Sequence, residues 1–314
     1  MTRREGTGTV PSVSVVIPTH DRRDLAMHAI RSVLHQRDVD LEVIVVDDGS
    51  RDGTGDVVRS LSDPAVRVLR HDRPSGVATA RNKGIEAARG EWIALLDDDD
   101  LWAPDKVKAQ LEAAGDAGRD WVYAGAVEID EEGRYLGGDP PPSPDALLKV
   151  LTKRNLMPAG CSNVMVKSEL LSRAGGFEPT LRHLADWDLW LRLARYGPPA
   201  YVPEPLVAYR VHDAQASMDT SDMLEEARAL YTRNGADRVS VLRWFAWSCL
   251  RQGRRWDAAR AYGQAVRAGD LLSIGRALVA VAAPRTTTLR RRRATAESAG
   301  WRRRAQEWLP SVAS

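Results

Sequence analysis

Short runs of consecutive apolar residues alternate along the chain with stretches whose apolar positions recur every three or four residues. Val13–Ile17, Leu41–Val46, Val66–Leu69, Glu91–Leu96 and Trp121–Ile129 are the runs. They are rich in β-branched residues and lack the polar alternation of a half-exposed strand, which predicts buried parallel strands. Between them, Asp21–Gln36 sets Leu25, Ala29, Ile30, Val33 and Leu34 at helical spacing. Ala78–Ala88 and Asp105–Ala114 read as helices, the second opened by Pro104 at a favoured first-turn position. This alternation predicts an α/β fold, a mostly parallel sheet flanked by helices.

Further along, Asp186–Tyr196 reads as a helix. Tyr201–Val211 reads as extended, with Pro203 and Pro205 confining it to an edge or a bulge. Gly137–Pro144, rich in glycine and proline, is either a mobile active-site flap or a surface connection. Past Ser217 the strand signal ends, and Met223–Ala268 is helical throughout, which predicts an all-α C-terminal extension. Four sections result: a flexible 1–10, an α/β domain over 11–218, a helical appendage over 219–283 and a basic tail over 284–314. The tail sets Trp301, Ala305, Trp308 and Leu309 on one helical face among arginines, the pattern of an interfacial helix or of a solvated tail.

Composition narrows the classes. Net charge is only +2, with two cysteines, Cys161 and Cys249, in 314 residues. Two thiols make neither a disulfide framework nor a metal knuckle. The start is polar, with no leader-like apolar run. The longest late apolar stretch, Leu271–Ala283, is short of the roughly 18–20 residues that span a bilayer. A cytoplasmic protein is expected, soluble or peripheral. Arg290–Arg293 and Arg302–Arg304 crowd the end, which suggests an anionic membrane surface as a partner. No nucleic-acid motif accompanies them, so nucleic acid is not expected.

The chemistry lies in two acidic clusters at strand ends, where open α/β sheets bind ligands. One is Asp47-Asp48-Gly49-Ser50 and the other Asp97-Asp98-Asp99-Asp100. Four adjacent carboxylates repel unless a cation or donors compensate, and hard divalent cations take carboxylates together with substrate phosphates. Alone, either cluster is equally a solvated or capping turn.

The ordered set is more specific. The chain carries Val-Ser-Val-Val-Ile-Pro-Thr-His (13–20), Val-Ile-Val-Val-Asp-Asp-Gly-Ser (43–50) and Gly-Val-Ala-Thr-Ala-Arg-Asn-Lys-Gly (76–84). Trp-Ile-Ala-Leu-Leu-Asp-Asp-Asp-Asp (92–100), Gly-Gly-Phe (175–177) and Asp-Trp-Asp-Leu-Trp-Leu-Arg (186–192) follow. Over about residues 11 to 213 this resembles the family-2 inverting glycosyltransferases of GT-A fold, and Gly253–Ala265 resembles half of a tetratricopeptide-type hairpin. The resemblance implies a nucleotide-diphosphate sugar donor, by default a UDP-sugar, and a hydroxyl acceptor. It places Pro18, Thr19 and Asp21 in the nucleotide loop, Asp48 against the base, Arg81 near the phosphates and Asp98 at the ribose. Asp97 and Asp99 of the Asp-x-Asp motif, with His212, would hold Mn²⁺ or Mg²⁺. Asp186 matches the general base, while Ala185 replaces the glutamate that precedes it in the family. Trp187 and Asp188 are the weaker candidates for sugar or acceptor contact. Envelope polysaccharide or glycolipid synthesis is the implied setting; a small-molecule acceptor and a non-catalytic sugar-nucleotide scaffold are the alternatives.

Overall fold

The computed structural model describes residues 11–212, 223–251, 253–282 and 296–312. The expected flexible segment 1–10 and the arginine run 290–293 lie outside the described residues. The elements follow in order as β1 (Val13–Thr19), α1 (Arg23–Leu34), β2 (Leu41–Asp47), α2 (Thr54–Ser60), β3 (Val66–Arg70), α3 (Val77–Ala87), β4 (Trp92–Leu95) and β5 (Leu101–Trp102). Then come α4 (Lys106–Ala117), β6 (Trp121–Ile129), β7 (Tyr135–Asp139), α5 (Pro144–Leu151), a 3-10 turn (Gly160–Asn163), β8 (Met165–Lys167), α6 (Ser168–Ala174), α7 (Ala185–Leu193) and β9 (Ala200–Arg210). The C-terminal part is helical: α8 (Met223–Arg233), α9 (Arg238–Arg251), α10 (Arg255–Arg267), α11 (Ser273–Ala282), α12 (Ala296–Gln306) and α13 (Leu309–Val312).

One sheet carries the order β3-β2-β1-β4-β8-β6-β9-β5, with β7 paired to β6. The half from β3 to β4 is parallel, and all seven residues of both β1 and β2 are buried. The other half is mixed, so the sheet is less parallel than the sequence predicts: β8 runs antiparallel to β4 and β6, β7 to β6, and β5 to β9. Three strands cause this difference: β5 and β8 are two and three residues long, too brief for periodicity to register, and β7 carries Gly137 and Gly138 of the stretch read as a loop. The bulge expected from Pro203 and Pro205 is present, where the β6–β9 register shifts on either side of Gly125. Asp47, Thr19 and Leu95 end neighbouring parallel strands, so the loops after β1, β2 and β4 share one rim.

α8–α11 do not stand apart from the sheet domain. Met223, Ala227, Val241, Phe245 and Ala258 belong to one apolar cluster with Trp121, Phe177, Trp187 and Trp190. The tail differs from both sequence readings. Trp301 and Ala305 are fully buried, and Trp308 and Leu309 nearly so, against Leu101, Val127, Ile129 and Ala208 of the sheet. Trp301 enters a notch that glycine makes possible: a Cβ on Gly125 would stand 2.3 Å from its ring. Trp308 Nε1 donates to Pro205 O at 2.9 Å. That apolar face is used inside the molecule and is not available to a bilayer. No helix among the described residues is long and apolar enough to cross a membrane.

Candidate active site

The four aspartates after β4 have separated duties, because their carboxylates meet different partners, apart from the Arg22 that Asp98 and Asp99 share. Asp100 is fully buried and accepts from Ser162 Oγ at 2.5 Å and from the Arg210 backbone N–H at 2.9 Å. Burial, then the charges of Asp99 and Asp97, push its carboxyl well above the usual range. It ties β9 to the turn rather than meeting solvent. Asp97 turns the other way and accepts from Arg81 at 2.5 Å, while its own N–H donates to Ser162 Oγ at 3.0 Å. Asp98 and Asp99 share one Arg22 nitrogen, at 3.1 and 2.7 Å. Asp99 Oδ2 also lies 3.0 Å from His212 Nε2. Burial and the neighbouring Asp99 charge raise Asp98 to about 7 against the pull of Arg22. Burial acts on Asp99 as well, but the His212 hydrogen bond and Arg22 outweigh it and hold Asp99 low.

Of the residues expected to frame the nucleotide, Pro18 and Thr19 close β1 just past the point where its ladder to β4 ends at Val16. Asp21 has a left-handed φ of 51°. Its carboxylate accepts from the Arg51 N–H at 2.6 Å, which fastens the loop after β1 to the loop after β2. Asp48 is buried and already well supplied with donors. The N–H groups of Ser75 and Gly76 reach it at 2.8–3.0 Å, Ser75 Oγ at 2.7 Å and His71 Nδ1 at 2.6 Å. Burial opposes ionisation there, but those donors prevail and lower its pKa. Asp48 therefore shapes the segment leading into α3. Further contact with a base would add to or displace one of these bonds.

Asp186 opens α7 and accepts from the Trp187 N–H at 2.6 Å and from Asn155 Nδ2 at 3.1 Å. Burial is the main reason its pKa rises to about 6; the Trp187 N–H and Arg81 counter it, and Asp97 adds to it. Arg81, buried on α3, stands between the two acids: it pairs with Asp97 and stabilises charge on Asp186, and its guanidinium lies 5.1 Å from the Phe177 ring. The position before Asp186 is Ala185, yet a carboxylate still reaches this turn. Glu226, from α8, accepts the N–H groups of Arg182, His183 and Leu184 at 2.8–2.9 Å.

Two expected contacts fall away from the rim. Trp187 is buried in the core, donating to Leu151 O at 2.7 Å with its ring edge-on to Trp244 at 5.5 Å. Asp188 is buried against Arg192, at 2.6 Å, and Asn234. Helical spacing explains both: residues adjacent to Asp186 point around the helix, away from what Asp186 faces.

No group of three or more His, Cys, Asp or Glu ligands converges among the described residues. The donor set is instead the pair Asp99–His212, with Arg22 lying where positive charge is called for. An oxygen and an imidazole nitrogen suit Mn²⁺ or Mg²⁺ only if phosphate and water complete the shell. Asp97 is turned to Arg81 and is not part of that pair. The residues the sequence did not single out are Arg22, His71, Ser75, Asn155, Ser162 and Glu226. Arg22 adjoins the nucleotide loop and could have been suspected from the need for a cation. Asn155, Ser162 and Glu226 carry no local signal, being brought in by the fold over separations of 31–65 residues.

Comparison with known proteins agrees with this geometry. The family model described as Glycosyl transferase family 2 matches residues 14–174. The succinoglycan biosynthesis protein ExoO of Rhizobium meliloti (strain 1021) is 42% identical over 127 residues, 40% of this chain and 36% of that protein. The S. aureus protein TarS, solved in complex with UDP-GlcNAc, superposes with a TM-score of 0.60 at 16% identity, over 80% of this chain and 71% of that one. The mannosyltransferase PcManGT of Pyrobaculum calidifontis, solved with GDP-Man and Mn²⁺, superposes with a TM-score of 0.54 at 21% identity, over 97% and 86%. With its family match spanning half the chain and every strand-end acid of the motif set on one rim, the chain belongs to glycosyltransferase family 2, in a GT-A-type fold followed by a helical C-terminal region.

Proposed function

We propose that this chain is an inverting transferase that moves a sugar from a nucleoside-diphosphate donor, by preference UDP-linked, to an acceptor hydroxyl during assembly of an envelope polysaccharide or glycolipid. One observation carries the reading. Arg81 donates to Asp97 of the acidic turn and its charge also favours the ionised form of Asp186, so the acidic turn and a carboxylate of raised pKa are electrostatic neighbours. The name of ExoO supports the polysaccharide setting. The UDP-GlcNAc and GDP-Man of the two structural neighbours support a nucleotide sugar while leaving uracil and guanine both in play.

In this reading Pro18, Thr19, Asp21 and Asp48 frame the nucleotide, and Asp98 faces the ribose. Asp99 and His212 would hold a divalent cation, which would supply Lewis-acid neutralisation of charge on the diphosphate. Arg81 adds fixed positive charge beside it. Asp186 receives the proton of the acceptor hydroxyl. The acceptor oxygen bonds to C1 as the C1–O bond to phosphate breaks, and the electron pair leaves on the diphosphate. Attack opposite the leaving group inverts C1. A carboxylate with a pKa of about 6 is ionised at neutral pH and more basic than an ordinary aspartate.

The test is turnover of UDP-, GDP- and dTDP-sugars with Mn²⁺, read as released nucleoside diphosphate, with product anomer assigned by NMR. Release from donors of one base, lost in Asp186→Asn and giving the inverted anomer, is the expected result. Retention of configuration would overturn the single displacement, and no turnover of any donor would overturn the activity.

A further inference from the structure

Among the described residues, the C-terminal helices leave one apolar face without a partner. α11 packs on α10 but fully buries only Ser273 and Ala280. Leu271 and Leu272 in the preceding turn are 70% and 74% exposed; Ile274, Leu278 and Val279 on the helix are 49%, 68% and 64% exposed. A single exposed leucine needs no account, but five large apolar residues within nine positions do.

The surrounding charge narrows what could cover them. Residues 238–283 contain eight arginines, two aspartates and no lysine or glutamate, a net charge of +6. Both aspartates are spent. Asp257 pairs with Arg254 at 2.7 Å, and Asp270 with Arg243 and with Arg276 at 3.6 Å. In the sequence beyond Ala282 come Arg285 and Arg290–Arg293, with no acidic residue before Glu297. A second copy would set this positive surface against its like, which repels. An anionic bilayer satisfies both features at once, since apolar residues enter the boundary between headgroup and acyl chain while arginines meet lipid phosphates.

We propose that α11 and its leading turn dock the protein on an anionic lipid surface. The docking element is thus Leu271–Val281, not the tryptophan-bearing tail, whose face is already buried in the sheet domain. The proposal is independent of the active-site reading.

Co-sedimentation of the full chain with vesicles of phosphatidylcholine, and of phosphatidylcholine with phosphatidylglycerol, tests it. The full chain should sediment with the anionic vesicles only, and less so as salt rises. Leu272→Asp and Leu278→Asp should each lower partitioning by about tenfold. These side chains are exposed, so the melting temperature should stay put. A second readout does not depend on loss of binding: Cys161 and Cys249 are buried, so Leu278→Cys accepts a single environment-sensitive label, whose emission should shift to the blue on anionic vesicles. No sedimentation, binding unchanged by both aspartates, or a label left in water would overturn the proposal. So would concentration-dependent self-association abolished by Leu278→Asp, which would assign the face to a second copy.

Discussion

Replacing Asp186, the proposed base, should stabilise the protein above neutral pH. Asp186 has its pKa raised from 3.8 to about 6. Its ionised form is therefore disfavoured in the fold by about 3 kcal/mol relative to the unfolded chain. Between those two values the native state binds more protons than the unfolded one, so stability falls as pH rises, and the deficit is complete above about pH 7. Some solvent contact at the side chain makes this an upper figure. Asp186→Asn removes the deficit. The amide keeps the Trp187 N–H bond but presents a donor to Asn155 Nδ2, and losing that bond costs about 1 kcal/mol. The variant should gain about 2 kcal/mol at about pH 8 and only about 0.5 kcal/mol at about pH 5. Urea unfolding of both proteins in EDTA measures this directly. Transfer by the variant should fall at least about a hundredfold, and wild-type kcat/KM should rise with pH through about 6 and then level. A stability difference that is the same at both pH values would refute the reasoning, because the carboxylate would then carry no perturbed proton.

Three further outcomes are expected. Arg22 bridges Asp98 and Asp99 and competes with any cation there, so Arg22→Gln should tighten Mn²⁺ binding without nucleotide by about tenfold in an EPR titration; weaker binding would make Arg22 a support of the site instead. Glu226→Ala leaves three N–H groups before α7 without their acceptor, which should cost about 2–4 kcal/mol and lower kcat with little change in donor KM. Glu226→Gln should restore part of both, and unchanged kcat in the alanine variant would detach α8 from the positioning of Asp186. Trp301→Ala empties the notch over Gly125 and should destabilise the whole protein by about 3–5 kcal/mol in calorimetry, whereas an unaltered transition would show that the tail does not dock.

The parallel half of the sheet and its acidic rim were legible because buried parallel strands leave continuous apolar runs, and Asp48 and Asp97–Asp100 stand at their ends. What the sequence could not show is which acid faces which partner. The resemblance puts Asp97 and Asp99 at the metal and Asp98 at the ribose, yet Asp97 is turned to Arg81, and Asp100, which it gave no role, is buried under Arg210. Trp187 and Asp188 looked like site residues through closeness to Asp186, but one and two helical steps turn them into the core. The tail misled for a related reason: an apolar face among arginines looks the same whether its partner is lipid or the protein's own sheet. Lys106 was unreadable in the opposite sense. It is fully buried, its Nζ has no hydrogen-bond partner among the described residues and lies 3.6 Å from the Trp102 ring centre, and burial drives its pKa well down.

The central claim is a metal-assisted nucleotide-diphosphate site at this rim, and calorimetric titration tests it most directly. The protein and its Asp99→Ala variant are titrated with UDP, GDP and dTDP, each with Mn²⁺ and with EDTA. Binding of one nucleotide that requires Mn²⁺ and is lost in Asp99→Ala is the predicted result. No binding of any nucleotide, or binding indifferent to both Mn²⁺ and Asp99, would contradict the account.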